Sequence, residues 1–129
     1  VSKAVYRPAR GDIIHFNFTP DAGIEFALPH FALVLSTQVF SRQTGLSIVL
    51  PMTTKYHHDK RLQTTQLMVR LPKLLELKED SWVYTHQIKT IDYRERGAVF
   101  KTRIPDDELD FLIDVMDRVR ALIDPDSAV

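Results

Sequence analysis

Hydrophobic and polar residues alternate over residues 11–19, G-D-I-I-H-F-N-F-T. Ile14, Phe16 and Phe18 fall on one side, His15 and Asn17 on the other. A period of two marks a half-buried strand, and P-D-A-G at 20–23 ends it. Residues 31–36 (F-A-L-V-L-S) and 46–50 (L-S-I-V-L) are continuous apolar runs rich in branched side chains. Such runs suit central strands covered on both faces. Between them, residues 37–44 fit a short helix stopped by Gly45. Further strands are expected at 66–71, at 82–85 and 88–91 with a bend at His86 and Gln87, and at 99–102.

The chain ends differently. Leu109, Leu112, Ile113, Met116, Val119 and Ile123 recur at spacings of three, four and seven, which predicts one apolar helical face. Pro105 suits the first turn, and Asp106, Asp107 and Glu108 suit the positive end of the helix dipole. Arg118 and Arg120 lie near the other end. Asp114 and Arg118 form an i,i+4 pair in the favourable order, and Pro125 stops the helix. A small, strongly curved β-barrel closed by a C-terminal helix is the natural assembly of these pieces. One long helix covers few apolar strands, so part of the surface is expected to be buried by a second copy.

Composition narrows the function classes. The 129 residues make one domain, 1–129, without repeats or linkers. The absence of cysteine excludes disulfide scaffolds, thiolate metal sites and cysteine nucleophiles. No apolar run reaches the roughly 20 residues of a membrane helix, and the start lacks the apolar core of a signal peptide. A cytoplasmic protein is therefore expected. The net charge of +0 hides an asymmetry. Residues 1–103 carry 15 Lys/Arg against 9 Asp/Glu, and residues 104–129 carry 2 against 8. A basic body with an acidic end permits a polyanionic partner, although a solvated acidic helix face accounts for the charges equally well.

Several segments in order carry a resemblance. They are R-G-D-I-I at 10–14, P-x-x-G-x-E at 20–25, A-L-V-L-S at 32–36, T-G-L at 44–46, P-M-T-T at 51–54, Q-I-K-T-I-D at 87–92 and R-G at 96–97. Together they resemble the MazF/PemK (Kid, CcdB-like) toxins of bacterial type II toxin–antitoxin pairs, over roughly residues 9–123. The resemblance implies a mostly β fold with α elements, an SH3-like small β-barrel with a short connecting helix and a C-terminal helix. It also implies a homodimer, a cognate antitoxin as partner, and sequence-selective cleavage of single-stranded RNA without metal or other cofactor. Relatives of this fold that poison DNA gyrase supply the alternative: a binding protein for RNA or for a protein target.

RNA cleavage without metal makes a 2′-hydroxyl attack the adjacent phosphorus. It needs a base for that proton, an acid for the departing 5′-oxygen, and donors or cations for the phosphorane charge. The resemblance puts Glu25 at the family's acidic loop position. His30 stands where an arginine is usual, and Thr53 and Thr54 stand at the phosphate-holding end of a central strand. His86 replaces the family's aspartate before Gln87. In the Kid branch an arginine is catalytic where this chain has Tyr84, and a histidine stands at the position of Ile24. The catalytic set implied is Glu25, His30, Thr53 and His86, with two imidazoles as acid and base. The competing reading is a degenerate site that binds without cutting. Taken singly, Glu25 reads as a solvated carboxylate and the threonines as turn residues. His30 reads as a strand-edge histidine, His86 as a partly buried histidine bonded to the backbone, and His15 as a surface residue.

The run T-T-K-Y-H-H-D-K-R at 53–61 interleaves Lys55, Lys60 and Arg61 with Tyr56, His57 and His58. Cations beside rings suit single-stranded nucleic acid, whose phosphates meet the charges and whose bases stack. A flexible solvated loop is the plain alternative. Adjacent histidines without a ligand spacing make a metal site a poor reading. Arg10, Thr54, Tyr84, Gln87 and Lys89 complete the expected RNA contacts.

Overall fold

Two buried side-chain sets, one on each face of a single sheet, explain why the strands lie where they do. The structure, a computed structural model, describes residues 5–16, 30–55, 66–124 and 126. Its strands are β1 (Asp12–Phe16), β2 (His30–Val34), β3 (Leu46–Thr53), β4 (Met68–Arg70), β5 (Trp82–Tyr84), β6 (Lys89–Asp92) and β7 (Val99–Arg103). The helices are α1 (Gln38–Thr44) and α2 (Leu109–Ile123). The seven strands form an antiparallel sheet in the order β4-β5-β3-β2-β1-β7, with β6 paired to β3 off this path. The small-barrel architecture is thus realised as an open, folded sheet with β4 and β7 at its ends among the described residues.

Alternation sorts the core. Ile13, Leu33, Leu50, Met52 and Val83 face α2, where Phe111, Leu112, Val115 and Val119 cover them. Ile14, Phe16, Ala32, Val34 and Val49 face the other way, against Ile91 and Tyr93. The runs in β2 and β3 are apolar on both sides because both strands are central and covered twice. The bend expected at His86 and Gln87 is real. β3 pairs with β6 along Leu46 to Val49 and with β5 at Met52 and Thr53, so the chain steps between the two ladders there.

Helix α1 begins and ends on local chemistry. The Thr37 hydroxyl accepts from the Phe40 amide at 3.3 Å, and Gly45 closes the helix at φ 74°, donating its N–H to Ser41 O. Ser41 Oγ donates to Pro8 O at 2.7 Å and Tyr93 Oη donates to Ser41 O at 2.9 Å, which ties the helix to both the chain start and the β6 end.

Helix α2 departs from expectation in two respects. Pro105 is extended and precedes a 3₁₀ turn at Asp106–Glu108, so the α-helix starts only at Leu109. The face turned inward is also shifted. Phe111 and Val115 are buried, whereas Leu109, Ile113 and Ile123 are 51%, 57% and 71% exposed. At 100° per residue the apolar residues span more than half the circumference, and the sheet takes one flank of that arc. Asp114 accepts from Arg118 Nε at 3.0 Å, as their spacing requires. The helix ends two residues before Pro125, which lies outside the described residues.

Candidate functional site

The C-terminal end of β3 leads into the most chemically furnished part of the surface. Thr53 closes the strand, and its Oγ1 accepts from the Lys55 amide at 3.0 Å. That bond folds the chain into a turn and leaves the hydroxyl proton of Thr53 to be donated elsewhere. Thr54 and Lys55 follow, both exposed. In β2, the register pairs Ala32 with Pro51 and Leu33 with Leu50. The β2–β3 ladder ends there, and Phe31, the next residue of β2, lines one cleft with Met52 and Thr53.

A cleft of about 250 Å³ opens here. His15 and Phe31 form one wall, Met52, Thr53 and Thr54 the floor, Glu79 and Ser81 the far wall. A second hollow of about 230 Å³ adjoins it, sharing Phe31, Thr54, Glu79 and Ser81 and adding Lys78 and Lys101. His15 meets the Phe31 ring edge-on, with centroids 5.1 Å apart. Lys101 Nζ lies 5.9 Å from the same ring's centroid. Its position has a backbone cause. β7 pairs Thr102 with Ile13 but Phe100 with Ile14, so Lys101 is the extra residue of a β-bulge, a device that re-aims a side chain.

The structure brings together only part of the expected set. Thr53 and Thr54 line the cleft, Lys55 follows them in the turn, and His30 begins β2 one residue before Phe31. Glu25, Tyr56, His57, His58, Lys60 and Arg61 lie outside the described residues. His86 sits on the turn after β5, edge-on to Tyr84 at 5.8 Å, with both ring nitrogens shielded from solvent. Tyr84 is 5% exposed and packs with Met68, so its ring offers no free face for stacking. Gln87 is half-buried, and Lys89 pairs with Val49, four residues back along β3 from Thr53. Arg10 lies beyond the opposite end of β1 from His15, donating Nε to Leu35 O at 3.0 Å.

Sequence reasoning missed His15, Phe31, Glu79, Ser81 and Lys101 as neighbours. His15 is a surface residue, as its alternation implies, but the surface is the cleft wall. The signal was available in part: the polar side of β1 has to face something, and Phe31 is the one phenyl ring in β2.

A family model for the PemK-like, MazF-like toxin of type II toxin–antitoxin systems matches residues 9–121. The chain belongs to this family. The endoribonuclease toxin MazF of Escherichia coli K12 is 29% identical over 110 residues, covering 83% of this chain and 88% of that protein. The crystal structure of MazF from Deinococcus radiodurans superposes with a TM-score of 0.76 at 28% identity, covering 92% of this chain and 98% of that one. MazF in the MazE–MazF complex of the same organism gives 0.71 at 28% identity, covering 92% and 97%. The PemK/MazF assignment and its fold therefore agree with the resemblance drawn from the ordered motifs.

Proposed function

We propose that this PemK/MazF-like toxin is a metal-independent endoribonuclease that cuts single-stranded RNA, with its scissile phosphate held at the Thr53 turn. The observation that carries the reading is the Thr53–Thr54 strand end forming the floor of the cleft, within a chain matched to the toxin family over residues 9–121. The 2′-oxygen attacks phosphorus, the bond to the 5′-oxygen breaks, and the products carry a 2′,3′-cyclic phosphate and a 5′-hydroxyl. The hydroxyl of Thr53 and the exposed turn donate to the phosphorane oxygens. His30, one residue before Phe31 in β2, and Glu25 serve proton transfer. His15 opens onto the cleft and takes the second imidazole role that the motif pattern gives to His86. The shielded nitrogens of His86 suit packing rather than exchange of protons with a substrate.

The same reading places the toxin in the cytoplasm, as a homodimer neutralised by an antitoxin. The exposed flank of α2 at Leu109, Ile113 and Ile123 supports a second copy. Sedimentation should give about twice the 14.9 kDa chain mass, and a stable monomer at micromolar concentration refutes the dimer. Activity is tested by incubating purified protein with a long unstructured RNA in EDTA and mapping both new ends. Cyclic-phosphate ends at recurrent sites are expected. Intact RNA refutes the enzyme reading and leaves the family's binding alternative.

A further inference from the structure

Two opposite charges, Glu79 and Lys101, border the hollow at Phe31, and other acidic groups nearby are already engaged. Glu76 accepts a hydrogen bond from the Thr102 hydroxyl, Asp80 pairs with Arg70, and Asp12 pairs with Arg103. Glu79 makes no side-chain hydrogen bond or ion pair among the described residues, yet the residue lines both hollows. Lys101, delivered by the bulge, lies over the Phe31 ring and makes no side-chain hydrogen bond or ion pair among the described residues. Ser81 is buried and donates its hydroxyl proton to Glu79 O, which fixes the backbone that presents the carboxylate.

A free carboxylate in a groove for a polyanion repels phosphate and lowers affinity, unless it accepts hydrogen bonds from a base. A ring beside a cation is the usual seat of an unstacked base and its phosphate. Among the four bases, guanine alone offers two parallel donors on its Watson–Crick edge, N1–H and the N2 amine. They match the two oxygens of one carboxylate. Adenine and cytosine each put a ring-nitrogen acceptor beside their amine, which the second oxygen repels. Uracil offers a single N–H between two carbonyl oxygens.

We infer that the hollow between Phe31, Glu79 and Lys101 is a base-reading subsite for a guanine next to the scissile phosphate. The base packs on Phe31, its Watson–Crick edge meets Glu79, and its phosphate meets Lys101. This rests on the RNA-cleaving reading above but concerns binding, so the two are separable.

The test is fluorescence anisotropy with a short 2′-O-methyl oligonucleotide, which cannot be cut, holding one guanine in a run of uridines. Partner oligonucleotides replace the guanine by inosine, which lacks the N2 amine, or by adenine. Wild type should bind the guanine form about 5- to 100-fold more tightly than the adenine form, the usual worth of a bidentate contact. Inosine should fall between. Glu79→Gln should abolish the preference. Phe31→Leu, which keeps an apolar side chain under the strands, should weaken all three forms alike. Lys101→Ala should weaken all three and reduce the salt slope by about 0.7, one phosphate's share on a single strand. Equal binding of guanine and adenine by wild type, or an unchanged preference in Glu79→Gln, overturns the inference. So does binding of an arginine-bearing peptide at Glu79 in place of every oligonucleotide, which assigns the hollow to a protein partner. If the guanine preference is found but the 2′-hydroxyl form stays intact, the subsite stands and the cleavage reading fails.

Discussion

Asp12→Ala should destabilise the fold by about 3–5 kcal/mol, the range for breaking a buried charged pair. Asp12 is 4% exposed at the start of β1, and its carboxylate takes three donors. Tyr6 Oη donates to Oδ2 at 2.6 Å, the Ala9 amide donates to Oδ2 at 3.0 Å, and Arg103 Nη1 donates to Oδ1 at 2.6 Å. The contributions are unequal. The Arg103 side chain is 49% exposed, so its Coulomb share is screened to roughly 0–1 kcal/mol. The two remaining donors lie partly buried, and each left without its charged acceptor costs about 1–3 kcal/mol. Most of the loss therefore comes from Tyr6 and Ala9, not from the ion pair. Urea unfolding followed by circular dichroism at pH 7 measures it, with an unchanged slope against urea showing that the native fold persists. Arg103→Ala alone should cost under about 1 kcal/mol. A loss below 1 kcal/mol for Asp12→Ala, or a larger loss for Arg103→Ala, refutes this ranking.

Gly11→Ala should cost about 1–3 kcal/mol in the same assay, because Gly11 sits at φ +91° and a Cβ there comes within 3.3 Å of Leu112 Cδ1. Burial and the Asp12 carboxylate raise the pKa of the Tyr6 phenol well above its ordinary value near 10. The stability this gives is complete below about pH 10 and is lost as pH rises further, at up to about 1.4 kcal/mol per pH unit. Tyr6→Phe should flatten that alkaline limb in urea titrations from pH 9 to 11, and an unaltered limb contradicts it. His15→Gln should slow single-turnover RNA cleavage about 100- to 10,000-fold and remove one limb between about pH 5 and 8, with rates within a few-fold of wild type counting against its role. Replacing Lys55, Lys60 and Arg61 together by alanine should lower the salt slope of RNA binding with stability nearly unchanged; an unchanged slope removes that stretch from the interface.

What the sequence reveals of this molecule is what is local. The doubly apolar runs of β2 and β3 and the Thr37 and Gly45 ends of α1 are each written within a few residues and appear as read. The alternation of β1 holds only in part: His15 is exposed between buried Ile14 and Phe16, but Asp12 and Ile13 are buried as well, and residues 17–19, Phe18 among them, lie outside the described residues. The face of α2 is not local. Residues 109–123 are apolar over a wide arc, and only the partner sheet decides that Phe111 and Val115 turn inward while Leu109 and Ile113 do not. The bulge at Lys101 is a matter of register between strands about ninety residues apart, invisible in V-F-K-T-R itself. The motif at 51–54 locates the floor of the cleft, but its walls come from β1, β2 and the approach to β5. Motif positions alone also cannot distinguish an imidazole that opens on the cleft, as His15 does, from one whose nitrogens are shielded, as those of His86 are.

The pairing of β1 with β7 has a consequence for synthesis. Among the described strands, the first to leave the ribosome, β1, lies between β2 and β7, and β7 is the last made. Until residue 103 has emerged, one edge of β1 is unpaired, Lys101 is missing from the groove, and α2 is not there to cover Ile13 and Leu33. A nascent chain cannot assemble the cleft piecemeal, since its groups come from both ends of the sequence. Chains truncated after residue 98 should be digested by protease as unfolded polypeptide, and protection of such a fragment contradicts this order. The topology thus delays a potentially self-damaging activity until translation of the domain is essentially complete.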